Sequence, residues 1–150
     1  MKLRPALPVD TEILFDIRCS VVENHQSREE LASLGITAQT IREMIEGQDY
    51  ITTIAEANGR PAGFSMAQIS EGYVFACFVK PDFEGNGLGR ALMEAAETGL
   101  RNRGVQEAWL STGQTPGLRA VGFYSHLGWY KDGHLDDGQI IFRKKLIAAE

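Results

Sequence analysis

The stretch Val79-Lys80-Pro81-Asp82-Phe83-Glu84-Gly85-Asn86-Gly87-Leu88-Gly89-Arg90 decides how this chain folds. An apolar run of β type, residues 73–79, leads into a loop with three alternating glycines, and an amphipathic helix begins near Leu88. The first turn of a helix has amides without intrahelical acceptors and carries partial positive charge. Glycines also let a phosphate approach the backbone closely. The sequence therefore predicts a phosphate or pyrophosphate site at this turn.

The glycine spacing argues against two common phosphate-binding loops. Gly85-x-Gly87-x-Gly89 is not the dinucleotide spacing G-x-G-x-x-G, and no acidic residue ends a following strand about 20 residues on. The Gly-Lys-Ser/Thr of a P-loop is absent from the sequence. A strand-to-helix turn that binds no ligand is the remaining alternative, although three glycines here would then carry an entropic cost without a purpose.

Hydrophobic periodicity and turn residues predict the order of elements along the chain. Asp10, Ser27 and Thr37 are expected to begin helices, and Asn58-Gly59 is typical of a tight β-hairpin. The continuous apolar character of residues 73–79 indicates a strand buried on both faces. We expect strands at 2–7, 50–57, 60–69, 73–79, 106–112, 129–131 and 139–146, helices at 37–46 and 88–103, and a short helix at 118–127. This order predicts an α/β (α+β) fold around a mixed sheet, without regular βαβ alternation.

The composition is that of an ordinary globular domain, and we expect residues 1–150 to form one domain. A net charge of −5 disfavours nucleic acid or an anionic membrane as the main partner, but it is compatible with a cationic amine. Cys19 and Cys77 lie in apolar contexts and are expected to be free thiols, which suits the cytoplasm. The sequence shows no apolar segment of transmembrane length and no signal peptide.

Two motifs resemble the GNAT superfamily of acyl-CoA N-acyltransferases. The family pattern R/Q-x-x-G-x-G/A after V-x-P corresponds here to Val79-Lys80-Pro81 and then 84–89. The family pattern A-x-x-F-Y-x-x-x-G-F is similar to residues 120–129, which include Phe123 and Tyr124. Because the predicted element order also matches, the resemblance covers essentially the whole chain.

The resemblance implies a mixed, mostly antiparallel sheet of six to seven strands flanked by helices. It also implies acetyl-CoA as co-substrate, no metal, and CoA pyrophosphate on the amides of residues 85–90. The strand ending in Phe78-Val79 should diverge from its neighbour at 106–111, so that the pantetheine arm pairs with its edge and one amide meets the thioester oxygen. The residues expected to bind the cofactor are Phe78, Val79, Glu84, Gly85, Asn86, Gly87, Leu88, Gly89, Arg90 and His126.

The same resemblance makes Tyr124 the candidate acid for the leaving thiolate. A protonated amine has no lone pair, so the reaction also needs a base or an environment that lowers the pKa of the amine. The candidate bases are Glu23, His25 and Glu71, and Arg18 could meet a carboxylate of the acceptor. Cys77 is interpreted as a core residue, and no residues have metal-ligand spacing.

Two positions depart from the family pattern. Glu84 stands where the family prefers Arg or Gln, and Gly117 stands where many members have Asn. We therefore consider three functions. The first is N-acetylation of a primary amine of a small molecule in a ternary complex, by a protein that could be a homodimer. The others are an acyl-CoA sensor with little catalysis and a protein or peptide N-acetyltransferase.

Overall fold

A computed structural model describes residues 1–23, 25–113 and 119–147, and it contains the elements that the sequence predicts. The strands are β1 Lys2–Pro5, β2 Tyr50–Ala57, β3 Arg60–Gln68, β4 Tyr73–Val79, β5 Glu107–Thr112, β6 Tyr130–His134 and β7 Ile140–Lys145. The helices are α1 Thr11–Arg18, α2 Arg28–Ser33, α3 Ala38–Glu46, α4 Leu88–Asn102 and α5 Arg119–His126. None of the helices in these described ranges is long and apolar enough to cross a membrane.

The strands form one seven-stranded sheet in the order β1-β2-β3-β4-β5-β7-β6. All neighbouring pairs are antiparallel except β4 and β5, which run parallel. The predicted mixed, mostly antiparallel sheet flanked by helices is thus confirmed. The hairpin between β2 and β3 is confirmed too, because Asn58 and Gly59 have φ values of 53° and 74°, as a type I′ turn requires.

Local side-chain caps define where the helices on one side of the sheet begin. The Ser27 hydroxyl accepts from the amide of Glu30, and the Glu30 carboxylate accepts from the amide of Ser27, which is the predicted capping box. Asp10 is the N-cap residue of α1, as predicted, but its side chain makes no capping hydrogen bond to this helix. Its carboxylate instead accepts from the Leu7 amide at 2.7 Å and pairs with Arg4 at 2.8 Å.

Helices cover both faces of the sheet. Met66 packs in a core cluster with residues of α1 and α3, whereas its neighbour Ala67 packs in another cluster with α4. Adjacent strand residues point to opposite faces, so the two clusters lie on opposite sides of the sheet. α4 therefore covers one face, and α1 and α3 cover the other.

A β-bulge in β4 changes the face of the sheet toward which the following side chains point. Met66 is opposite Ala76 and Ala67 is opposite Val74, so Phe75 is the extra residue of the bulge. Val74 consequently packs toward α4, while Ala76, two residues later, packs toward α1. The prediction that β4 is buried on both faces is confirmed by Val74 and Ala76, although five of its seven residues are only partly buried.

Candidate active site

β4 and β5 pair at one end only and then diverge. Their register contains the single pair Tyr73↔Trp109, and the amide of Trp109 donates to the carbonyl of Gly72 at 2.9 Å. The divergence predicted for these two strands is confirmed. It opens a cavity of about 870 Å³, which we call the main cavity, and leaves the later part of β4 without a strand partner on that side.

The main cavity has two walls, separated by β4. Residues on the wall toward α4 and α5 include Cys77, Val79, Glu84, Gly85, Gly87, Leu88, Gly89, Arg90, Phe123 and Tyr124. Residues on the wall toward α1 include Arg18, Val21, Val22, Glu23, His25, Gln26, Glu30, Phe75 and Phe78. A ligand in this cavity can therefore be reached from either face of the sheet at the open edge of β4.

The turn between β4 and α4 has the properties of an anion site. Gly85 and Gly87 have φ values of 80° and 79°, and the space beside both α-carbons is open to 4 Å. Gly87 precedes α4, and its carbonyl accepts from the amide of Ala91, so the amides of residues 88–90 come before the first intrahelical bond. These donors and the helix dipole favour negative charge at the end of the cavity.

The third glycine of the loop is needed for packing. A Cβ on Gly89 would lie 3.2 Å from Cζ of Phe123 in α5, so a larger residue would require the Phe123 ring to shift by a few tenths of an ångström. In the sequence motif the three glycines are equivalent. The structure separates them into two that need a left-handed backbone and one that allows close contact between α4 and α5.

The charged and polar side chains of the loop differ in whether they line the main cavity. Glu84 and Arg90 line the main cavity and are exposed, and Arg90 pairs with Glu94 one turn further along α4 at 3.1 Å. Asn86 is not part of the cavity wall, and its amide group donates to the carbonyl of Phe83 at 3.3 Å. The loop therefore presents backbone amides, rather than a cluster of cationic side chains, toward the cavity.

Cys77 lies on the wall toward α4 but belongs to the packed interior. Its thiol donates to the carbonyl of Gly89 at 3.8 Å, and burial raises the pKa of Cys77 to about 12. A thiol that remains protonated at neutral pH is a poor nucleophile. The interpretation of Cys77 as a core residue is confirmed.

Tyr124 lies in α5 with its ring inside an aromatic group. Its ring centroid is 5.2 Å from that of Phe123, 5.9 Å from that of Phe142 and 6.4 Å from that of Trp129. Burial raises the pKa of Tyr124 well above its usual value, and the nearby Cys77 raises it further. The hydroxyl therefore stays protonated across the neutral range, and it can donate a hydrogen bond within the main cavity.

A buried polar network, which the sequence analysis missed, holds α5 in place. Glu97 of α4 is 7% exposed, and its carboxylate accepts from Nζ of Lys144 at 2.7 Å and from Nε1 of Trp129 at 3.3 Å. Nζ of Lys144 also donates to the carbonyl of Leu127, just after α5. One sequence signal could have revealed this network, since Glu97 falls at helical spacing from Met93 and Leu100 on the buried stripe of α4.

Two of the three candidate bases lie at the main cavity. Glu23 and His25 line the wall toward α1, whereas Glu71 lies outside the cavity wall. Nδ1 of His25 donates to the carbonyl of Val21 at 3.0 Å. Because a carbonyl can only accept, the neutral imidazole carries its proton on Nδ1 and its lone pair on Nε2. That arrangement is the one a general base needs.

Arg18 ends α1 on the same wall. The carbon of its guanidinium group is 4.3 Å from the centroid of the Phe78 ring, and Nη2 donates to Oε1 of Gln26 at 2.7 Å. Burial lowers the pKa of Arg18, although the group remains charged at any physiological pH. Arg18 thus lines the same cavity as Glu23 and His25, and its contact with a carboxylate of the acceptor stays a prediction.

Two further predicted positions lie away from this geometry. His126, the last residue of α5, is exposed and is not part of the wall of the main cavity, so its contact with a cofactor stays a prediction. Gly117 lies outside the described residues. Among the residues that are described, no group of three or more His, Cys, Asp or Glu side chains could hold a metal ion.

The fold and the site define a class of protein, and comparison with known families agrees. Residues 15–129 match the model of the acetyltransferase (GNAT) family. The chain belongs to this family. The structure of the PaiA N-acetyltransferase of Thermoplasma acidophilum in complex with coenzyme A has the same fold, with a TM-score of 0.82 and 19% identity over 96% of this chain and 98% of that one.

Curated relatives act on different kinds of amine. The chain is 34% identical over 86 residues to the [ribosomal protein bS18]-alanine N-acetyltransferase of Escherichia coli, covering 56% of this chain and 57% of that protein. It is 29% identical over 113 residues to serotonin N-acetyltransferase 2, chloroplastic, of Oryza sativa, covering 71% of this chain and 54% of that protein. The chain thus spans little more than half the length of these relatives.

Proposed function

We propose that this protein is an acetyl-CoA-dependent N-acetyltransferase that acts on a primary amine of a small molecule. The observation that carries the proposal is the divergence of β4 from β5 directly beside a glycine turn with outward-facing amides. This arrangement supplies an unpaired strand edge and an anion site in one cavity. Membership of the GNAT family supports the proposal, and so does the similar fold of a protein solved with coenzyme A.

The chain's own groups fit the extended shape of acetyl-CoA. The amides of residues 85–90 would hold the pyrophosphate, and the open edge of β4 would pair with the amide-containing pantetheine arm as a strand would. An amide of Phe78 or Val79 would then donate to the thioester oxygen and stabilise the negative charge that develops there. Gly85 and Gly87 leave room for the phosphates, because nothing lies within 4 Å of the place where a Cβ would stand.

Acetyl-CoA supplies an acyl thioester, so a C–N bond forms, the C–S bond breaks, the amine loses a proton and the thiolate gains one. His25 would take the proton of the amine at Nε2, since Nδ1 donates to the carbonyl of Val21. Glu23 lies on the same wall and would attract the ammonium form of the acceptor. Tyr124 would donate a hydrogen bond to the departing sulfur, which its raised pKa permits at every physiological pH.

Acetylation of a protein N-terminus is the second candidate, because the curated bacterial relatives act on the alanine of a ribosomal protein. A sensor with little catalysis is the third, and it is motivated by the carboxylate of Glu84 beside the proposed phosphate site. A screen of amines against peptides, with CoA release as the readout, separates the three. Release with small amines supports the proposal, release only with peptides supports the second candidate, and no release despite binding supports the third.

Binding of acetyl-CoA is the first quantity to measure. A ligand at about 100 times its Kd stabilises a protein by about 2.7 kcal/mol, which for a chain of this size raises Tm by roughly 5–10 °C. We expect Gly87→Glu to abolish this rise, since it adds an anion at the phosphate site. Gly104→Glu is the matched control, because Gly104 follows the same helix, also has a positive φ of 86° and has open space beside it. Equal shifts in both variants would contradict the proposed phosphate site.

A further inference from the structure

A second, smaller cavity lies on the side of the sheet that α1 and α3 cover. It has a volume of about 190 Å³, and ten of the twelve described residues that line it are apolar. Four of these are phenylalanines, namely Phe15, Phe64, Phe75 and Phe78. Protein cores rarely leave empty spaces much larger than a water molecule, so a space of this size has room for a group of a ligand. We call it the side cavity.

The side cavity is continuous with the main cavity. Five residues line both, namely Arg18, Gln26, Phe75, Ala76 and Phe78. Phe75 and Ala76 are neighbours in β4, yet both pack toward α1 because of the bulge. Phe78 lies one residue before the end of β4, where the thioester of acetyl-CoA would lie. A group in the side cavity can therefore belong to a molecule that reacts at the end of β4.

The polarity of the side cavity changes from its mouth to its interior. The two polar lining residues, Arg18 and Gln26, belong to the boundary with the main cavity, and they bond to each other at 2.7 Å. The other seven described residues that line the side cavity alone are all apolar, and they include the buried Leu31, Phe64 and Met66. Such an interior favours a group without hydrogen-bonding atoms, because a buried polar group without a partner is costly.

The size and the lining of the side cavity favour one aromatic ring. An apolar cavity of about 150 Å³ in a protein core is large enough to bind benzene. The rings of Phe64 and Phe78 both line the side cavity, and their centroids are 5.8 Å apart. A ring of the ligand would extend this pair through edge-to-face or offset contacts, which stabilise beyond the burial of apolar area. An aromatic ring therefore fits the side cavity better than an alkyl group of similar size.

The position of the side cavity indicates which reactant it would hold. Its mouth opens through the wall of the main cavity toward α1, the wall that carries Glu23 and His25. Tyr124, which would contact the departing sulfur, lies on the opposite wall and does not line the side cavity. The amine must approach from the wall that holds the proposed base. The molecule beside the mouth is therefore the acceptor rather than the pantetheine arm.

We propose that the acceptor is a primary amine joined by a short alkyl chain to one unsubstituted aromatic ring. The ring would occupy the side cavity, and the chain would pass through the mouth so that the amine faces the thioester at the end of β4. This inference rests on the proposed N-acetyltransferase function and specifies its substrate class.

Amines that differ by one group test this assignment in the unaltered protein. We expect the kcat/KM of phenethylamine to exceed that of ethylamine by about 30-fold or more, because burial of the ring contributes to binding. Tyramine, which adds one hydroxyl to the ring of phenethylamine, should be about tenfold poorer, since the interior of the side cavity is apolar. Equal values for ethylamine and phenethylamine, or a higher value for tyramine, would overturn the inference.

Exchange of the acyl group tests the other possible occupant of the side cavity. With ethylamine as acceptor, acetyl-CoA should be a better donor than hydrocinnamoyl-CoA, because in the inferred arrangement the side cavity does not receive the acyl group. The reverse preference would mean that the ring of the acyl group fills the side cavity, and it would overturn the inference.

A variant that narrows the side cavity tests the same assignment in the protein. Ile36 lines the side cavity but not the main cavity, so Ile36→Phe should lower the kcat/KM of phenethylamine about tenfold more than that of ethylamine. Ile45→Phe is the matched control, because Ile45 is also partly buried against the core beneath α1 and α3 but lines neither cavity. A rise in Tm with acetyl-CoA shows that each variant is folded. An unchanged ratio in Ile36→Phe, or an equal change in Ile45→Phe, would contradict the inference.

Calorimetric titration gives a readout that is independent of turnover. Phenethyl alcohol has the ring but no amine, and it should bind to the protein saturated with CoA, with a Kd that Ile36→Phe raises about tenfold and Ile45→Phe leaves unchanged. If phenethyl alcohol does not bind at millimolar concentration, the inference is wrong even if other amines are acetylated. Failure of the proposed function is recognised differently, because acetyl-CoA would then leave Tm unchanged and no amine would release CoA.

Discussion

Tyr124 and His25 stand on opposite walls of the main cavity and have different proton chemistry. Burial raises the pKa of Tyr124, so its hydroxyl is protonated throughout the working range and would act on the leaving group as a hydrogen-bond donor. His25 is exposed, and its Nδ1–H is fixed by the carbonyl of Val21. In the proposed reaction Tyr124 would therefore act on the leaving group and His25 on the amine.

We predict that Tyr124→Phe lowers kcat about tenfold at every pH from 6 to 9, because no tyrosinate forms in that range. His25→Asn should lower kcat/KM about 100-fold near neutrality, because it removes the Nε2 lone pair that would accept the proton of the amine. Both effects are measured from the pH dependence of CoA release with the best acceptor.

Tyr130→Phe and His134→Asn are matched controls for this experiment. Both residues lie in β6, are exposed and do not line the main cavity. Full activity of Tyr124→Phe would rule out the proposed role of Tyr124 as the acid. An unchanged kcat/KM in His25→Asn would assign the base to another group on the wall toward α1, where Glu23 is the next candidate.

Helix α4 contributes both to the proposed phosphate site and to the core of the protein. Its first turn provides the amides of the proposed phosphate site, and its middle carries Glu97 into the core. Through Glu97 the helix is tied to Lys144 of β7 and to Trp129, which precedes β6. Because Lys144 also bonds to the carbonyl of Leu127, the network fixes the end of α5, the helix that carries Tyr124.

We predict that Lys144→Met destabilises the protein by about 2–3 kcal/mol, because it leaves the carboxylate of Glu97 buried without its cation. Adding Glu97→Gln to that variant should recover roughly half of the loss, since glutamine can still accept from Trp129 and carries no charge. Urea denaturation of the protein without ligand gives the free energies of unfolding.

The matched control for this prediction is Arg90→Met, which removes an ion pair from the exposed face of the same helix. We expect it to change the free energy of unfolding by less than about 0.5 kcal/mol, as is usual for exposed pairs. If Arg90→Met lowers the free energy of unfolding as much as Lys144→Met does, burial of the network contributes little to stability.

At the scale of the whole molecule, the sheet consists of two halves joined by a single register pair. β1 to β4 form one half and β5 to β7 the other, and they meet at Tyr73↔Trp109. The core beneath α4 nevertheless includes residues of both halves. Its fully buried members include Ala67 from the first half and Phe142 from the second. Shared apolar burial should therefore make the halves unfold together.

We predict one cooperative unfolding transition, as expected if residues 1–150 are a single domain. Trp109 and Trp129 both lie in the second half, so tryptophan fluorescence reports on that half, whereas far-UV circular dichroism reports on the whole chain. The two urea curves should have the same midpoint. A fluorescence midpoint at lower urea concentration would show that the second half unfolds independently and that the single-domain prediction is wrong.

The sequence alone was sufficient for most local features. Capping by Ser27 and Thr37, the Asn58-Gly59 turn and the amphipathic stripe of α4 depend on residues close together in the chain, and their physical preferences can be read without the fold. The glycine turn before α4 belongs to this class, and so the proposed phosphate site was recognised from spacing.

Only the tertiary structure decided what surrounds the reacting groups. The contact of Gly89 with Phe123 and the position of Arg18 over Phe78 each join segments far apart in sequence, and the bulge at Phe75 depends on how β4 pairs with β3. Burial of Tyr124 and Glu97 likewise depends on which elements pack around them. The sequence therefore determined the class of fold and the turn of the proposed phosphate site, whereas packing determined the proposed acceptor side, because its shape and charge arise only when distant elements meet.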